Sequence, residues 1–164
     1  MHHVLPSSAV ALLLAATTAS ACPAAMAPQT VLASTAWQTT AVHEGDDRST
    51  NVIDRYPDVV GLSVWDACSN RFEYFDPISG ASRASLGGAG YYLFTGDGQH
   101  QVTLPDRGAP ISRRLQTLDA DEFTYSRTVP RNLQAGQPEV ILHVVHTPYR
   151  GPLAIPMRPG SASR

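Results

Sequence analysis

Lysine is missing from the 164-residue sequence, and all twelve of its cationic side chains are arginine. An arginine fork suits carboxylate and phosphate. The arginines are scattered, however, with only Arg113 and Arg114 adjacent, so the pattern reads as compositional bias rather than as an anion site. The formal net charge is −2, which provides neither the basic footprint of a nucleic-acid binder nor a polybasic membrane patch. Long helical stripes are also lacking. Thirteen prolines and twelve glycines interrupt the chain. Beyond the first 27 residues no window keeps apolar side chains at helical spacing for three turns, which argues against a helical bundle. No G-x-S-x-G, H-E-x-x-H, P-loop or G-x-G-x-x-G occurs, and Gly87-Gly88-Ala89-Gly90 precedes no helix pattern that would make it a phosphate cradle. Nothing in the sequence calls for a cofactor.

The longest apolar run, residues 9–17, is too short to span a bilayer as a helix but has the length of a signal-peptide core. Ala19-Ser20-Ala21 follows as an A-x-A cleavage site, so residues 1–21 are expected to be a signal peptide and the mature chain to start at Cys22. A second A-x-A, Ala25-Met26-Ala27, is followed by Pro28, which hinders cleavage there. The n-region, Met1-His2-His3, lacks the usual basic residue. Cys22 has the position of a lipidated cysteine, with Ala19 where such sites usually carry leucine, and it is also a disulfide candidate for Cys68. If Cys22 is lipidated or lost, Cys68 is expected to be a small buried residue on a strand.

Residues 22–32, rich in proline and alanine, read as a linker, and regular structure is expected from Ala33. From there short β-type segments follow at regular spacing. They are Trp37–Val42, Val59–Trp65, Arg71–Phe75, Gly90–Thr95, Gln99–Leu104, Ile111–Leu118, Glu122–Arg127 and Glu139–Thr147. Asp66–Asn70, Gly96-Asp97-Gly98 and Asp119-Ala120-Asp121 supply tight turns. Ala81–Leu86 is a strand or a loop. About eight strands in a meander predict an all-β, antiparallel up-and-down barrel, because closure removes exposed edges. A barrel of that size holds one small ligand or is filled by its own side chains. Residues 150–164 read as a tail.

Thr35-Ala36-Trp37-Gln38-Thr39-Thr40, Glu122-Phe123-Thr124-Tyr125 and His146-Thr147-Pro148 occur in that order. Together they resemble an uncharacterised family of lipocalin-like domains in secreted bacterial proteins. The resemblance covers residues 33–149, including the hairpins between Gly90 and Leu118, shortened after Pro105. It implies a small lipocalin-like barrel and brings no catalytic residue and no ligand.

Candidate ligand contacts are Trp37, Trp65, Tyr74, Tyr92 and Tyr125, which would give a cavity aromatic walls with polar tips, together with His143. The competing reading is that these rings fill the core. His143 and His146 are three apart, so on a regular strand they face opposite sides and cannot share a metal ion; one should lie inside and the other outside. His43-Glu44-Gly45-Asp46-Asp47 lacks the alternating ligands of a calcium loop and reads as a solvated loop. Asp119, Asp121 and Glu122 read as turn and strand-start residues. Three functions stay open: an exported barrel binding a small apolar or aromatic molecule, a non-catalytic envelope module anchored through Cys22, and a barrel-mouth hydrolase or isomerase using His143 or His146. The address has a direct check. Intact-mass and N-terminal analysis of protein recovered outside the cytoplasm is expected to show residues 1–21 removed and Cys22 first; a chain retaining them excludes export by this route.

Overall fold

The computed structural model describes residues 26–151. A short helix, α1 (Ala27–Leu32), precedes eight strands: β1 (Trp37–Glu44), β2 (Leu62–Asp66), β3 (Arg71–Phe75), β4 (Ala89–Phe94), β5 (His100–Pro105), β6 (Ile111–Leu118), β7 (Phe123–Pro130) and β8 (Glu139–Pro148). Each strand pairs antiparallel with the next, and β8 returns to β1, giving a closed up-and-down barrel. Single 3-10 turns lie at Ile53–Arg55, Pro57–Val59, Ala84–Leu86 and Arg131–Leu133. The doubtful stretch 81–86 holds one isolated bridge, Ser82 to Phe75, and one of these turns.

Side-chain alternation sets the interior. Around the barrel, register carries Trp65 to Phe72 and then Gly90, Tyr92 to Thr103 and then Ile111, and Leu115 to Tyr125 and then Val144. Strict alternation fails at two places. Register shifts between Thr39 and Ala41 in β1 and between Leu115 and Thr117 in β6. The extra residue of each bulge resets the face, so Trp37 and Val42 are both buried inside although they stand an odd number of positions apart. Gly90 is required by a close approach: a Cβ there would meet the carbonyl oxygen of Leu104 and stand 2.7 Å from the Pro105 Cα.

The expected linker is in part a structural element. Residues 27–32 form α1, with Pro28 in its first turn and the Met26 N–H donating to Gln29 Oε1 at 2.7 Å. Six residues are too few for a stable isolated helix. Tertiary contacts hold it: Leu32 is fully buried, the indole N–H of Trp37 donates to the Leu32 carbonyl at 2.8 Å, and Gln29 Nε2 donates to Asn70 Oδ1 at 2.7 Å. Burying the Leu32 side chain contributes about 2 kcal/mol. By the direction of the strands, α1 sits at the end that carries the β2–β3, β4–β5 and β6–β7 turns, and it closes that end. Cys68 lies exposed in the β2–β3 turn and is in a disulfide, the state for which it was a candidate, and not the buried strand residue expected of an unpaired Cys68. Cys22, residues 1–25 and residues 152–164 lie outside the described residues, so the leader, the lipid site and most of the expected tail do too. Tyr149, at the end of β8, packs with Leu62, Val64 and Phe75 in a small cluster on the outer surface.

Trp37 ties the helix to the barrel by both its ring and its N–H. Trp37→Ala is expected to cost about 3–5 kcal/mol in urea unfolding. Trp37→Phe, which keeps most of the ring but removes the donor, should cost about 1–3 kcal/mol by leaving the Leu32 carbonyl unpaired.

Candidate functional site

The interior is divided along the barrel axis. Near α1 it is solid: Trp37 meets Phe123 edge-on at 5.9 Å, and Trp65 is ringed by Phe72, Tyr92 and Phe123 at 5.1–6.1 Å. Towards the opposite end a cavity of about 620 Å³ opens. Half of that end is shut by Tyr56, which is fully buried. Its hydroxyl donates to Glu44 Oε1 at 2.6 Å and accepts the Asn132 N–H at 3.2 Å, while Arg55 and Arg131 each reach Glu44 at 3.3 Å. The mouth lies beside this knot, between residues 57–61 and 83–88. Arg83 spans it, donating to the Val60 carbonyl at 2.8 Å and to Asp76 at 3.2 Å. β1 and β2 pair through only two residue pairs, Trp37 with Ser63 and Gln38 with Leu62, so the wall gapes above them and the mouth has room.

Of the six expected contacts, Trp65, Tyr74 and Tyr125 line the cavity. Trp37 and Tyr92 point inward but belong to the packed half. Burial without a partner pushes the Tyr92 hydroxyl up to about 12. His143 is a correction: it pairs with His43 of β1 and Ser126 of β7 on the outer face, and burial there lowers its pKa. The inward positions beside it belong to Leu142 and Val144, and the inward histidine is His146, which lines the cavity and stacks on Phe123 and Tyr125 at 4.9 and 5.5 Å. The two histidines therefore face opposite sides of β8. His146 Nδ1 lies 2.9 Å from the Phe123 carbonyl. A carbonyl only accepts, so Nδ1 carries the proton and Nε2 is left as an acceptor. Burial, with the Arg113 charge adding to it, lowers the pKa of His146 to about 4. Among the described residues no carboxylate forms an ion pair with this ring. Among the described residues no three metal-ligating side chains converge.

The largest departure from the sequence reading is cationic. Arg113, read as one of many scattered arginines, is 5% exposed and sits inside the barrel. It donates to Gln101 Oε1 at 3.2 Å and to the Tyr74 hydroxyl at 3.0 Å, and its guanidinium lies 4.7 Å from the centre of the Tyr125 ring. Arg127 borders the same cavity, and its Nε is buried without a partner. The signal was in the strand phase: Arg113 falls in step with Ile111 and Leu115, and Arg127 with Phe123, Tyr125 and Val129.

A family model described as a domain of unknown function (DUF4822) matches residues 29–156, and the chain belongs to that family. No curated protein matches it.

The buried histidine makes stability depend on pH. His146 is neutral in the folded chain down to about pH 4, whereas its ordinary value is 6.5. Its stabilising share is thus present in full above about pH 6.5 and is lost as pH falls towards 4, amounting to about 3 kcal/mol. Denaturant unfolding at pH 7 and pH 4.5 should show a smaller loss for His146→Gln than for the native chain; equal losses would assign the acid sensitivity elsewhere.

Proposed function

We propose that this DUF4822 domain is an exported, non-catalytic barrel that takes a small, mainly apolar molecule into its interior. The observation that carries the reading is the cavity of about 620 Å³ enclosed by Trp65, Tyr74, Phe123 and Tyr125 and open at one end. Its size falls within the range of small-molecule pockets, and its walls pair aromatic faces with a few polar groups. Two apolar side chains stand out on the loops at that end, Ile78 at 95% and Leu86 at 84% exposure, and Leu86 borders the mouth itself. Leu86 gives the mouth an apolar edge suited to passing such a molecule in or out. The leader-like residues 9–17, the A-x-A site and the disulfide at Cys68 all favour an oxidising compartment outside the cytoplasm.

One observation favours a second reading, a non-catalytic interaction module of the envelope. Tyr91, Leu93 and Leu104 are exposed together on the outer face of the β4–β5 hairpin, with Tyr91 directly opposite Leu104. Grouped apolar surface of this kind suits a protein partner.

Titration with the neutral fluorophore N-phenyl-1-naphthylamine separates the two. The cavity reading expects saturable one-to-one binding with quenching of tryptophan emission. It also expects Ile111→Trp, at the cavity wall, to weaken binding about tenfold or more, equivalent to about 1.4 kcal/mol, with an unchanged far-UV spectrum. Absence of saturable binding by the native chain would remove the cavity reading and leave the interaction module.

A further inference from the structure

Arginine stays protonated in proteins, and a buried guanidinium needs hydrogen bonds and a counter-charge to offset its lost hydration. Arg113 has hydrogen bonds but no counter-charge. Its partners, Gln101 Oε1 and the Tyr74 hydroxyl, are neutral, and so is the Tyr125 ring beneath it. Its Nε is buried with no acceptor. β6–β7 register sets Arg114 against Ser126, and one step further along brings Arg113 and Arg127, both inward, to neighbouring positions. Like charges on adjacent strands repel. The carboxylates that border the cavity do not answer these two arginines: Asp76 is bound to Arg83 at 3.2 Å, and Asp58 is exposed on the rim. Among the described residues, the four ion pairs leave both Arg113 and Arg127 out.

We infer that the molecule taken into the barrel is an amphiphilic monoanion whose carboxylate docks between Arg113, Arg127 and Tyr74, with its apolar body along Trp65, Phe123 and Tyr125. This rests on the cavity reading above and specifies the chemistry of the ligand. The donors suit a carboxylate. Arg113 presents a planar fork with Nε unused, and Tyr74, whose oxygen accepts from Arg113, keeps its own proton to donate. Burial keeps that phenol protonated by raising its pKa. The neutral imidazole of His146 adds no further positive charge. Closing the ion pair inside the barrel also supplies the missing counter-charge.

Three probes of equal chain length test the inference: decanoate, 1-decanol and decyltrimethylammonium, each displacing N-phenyl-1-naphthylamine from the native chain below its micellar concentration at pH 7. The expected order is decanoate first, about tenfold or more tighter than decanol, and the cation last. In Arg113→Gln the ratio of decanol to decanoate dissociation constants should fall to near one. Tyr74→Phe should lower it part of the way, and this variant serves if the first does not fold. Equal binding of decanoate and decanol by the native chain, or the full ratio retained without Arg113, overturns the carboxylate inference while leaving an apolar cavity. Failure of all three probes and of the fluorophore overturns the cavity reading as well.

Discussion

Seven residue pairs between β1 and β8, from Trp37 with Pro148 to Glu44 with Leu142, turn a ribbon of strands into a tube. Once the ends are joined there is no free sheet edge, and every strand has one face that can only look inward. That constraint governs everything else. A side chain in the inward phase is enclosed whatever its chemistry, which is how arginine, glutamine and histidine come to sit beside tryptophan and phenylalanine.

The two halves of the interior use this constraint differently. Near α1, Leu32, Trp37 and the rings around Trp65 pack with few polar demands: the two indole N–H groups donate to the Leu32 carbonyl and to Ser63 Oγ, and the Tyr92 hydroxyl is buried without a partner. Towards the mouth, Arg113, Tyr74 and His146 replace them. A barrel filled with apolar side chains throughout would be more stable, because burying charge without an opposite partner is unfavourable. Local rules broken against stability are expected where a site is kept for function. The short β1–β2 seam belongs to the same economy of structure. Where those strands part, Thr39 bonds to the loop instead, its N–H donating to the Gly61 carbonyl at 3.0 Å and its hydroxyl to the Val59 carbonyl at 2.9 Å. The wall stays hydrogen-bonded while leaving space.

Local patterning made the architecture legible. Turn residues such as Gly96-Asp97-Gly98 and alternations such as Tyr92-Leu93-Phe94 are short-range signals, and all eight strands appear near their expected places. Helix α1 was hidden because alanine and proline composition suggested a linker, although Pro28 in a first turn with Gln29 reaching back to the Met26 N–H is a helix-start arrangement. For the site, Trp65, Tyr74 and Tyr125 were legible as inward aromatics. Of the two histidines, one was expected inside, and the structure puts His146 rather than His143 on the inner face, because Leu142, Val144 and His146 share the inward phase.

The sequence by itself determined the strand count, the meander order and the separation of His143 from His146, because each follows from turn chemistry and a period of two within a single strand. Tertiary structure decided which aromatic rings border space and which fill it, and that Arg113 and Arg127 stand side by side outside the ion pairs of the described residues. Those facts depend on cross-strand register, two bulges and the seal made by α1 and Tyr56. All of these are contacts between residues far apart in the chain, which no local pattern encodes.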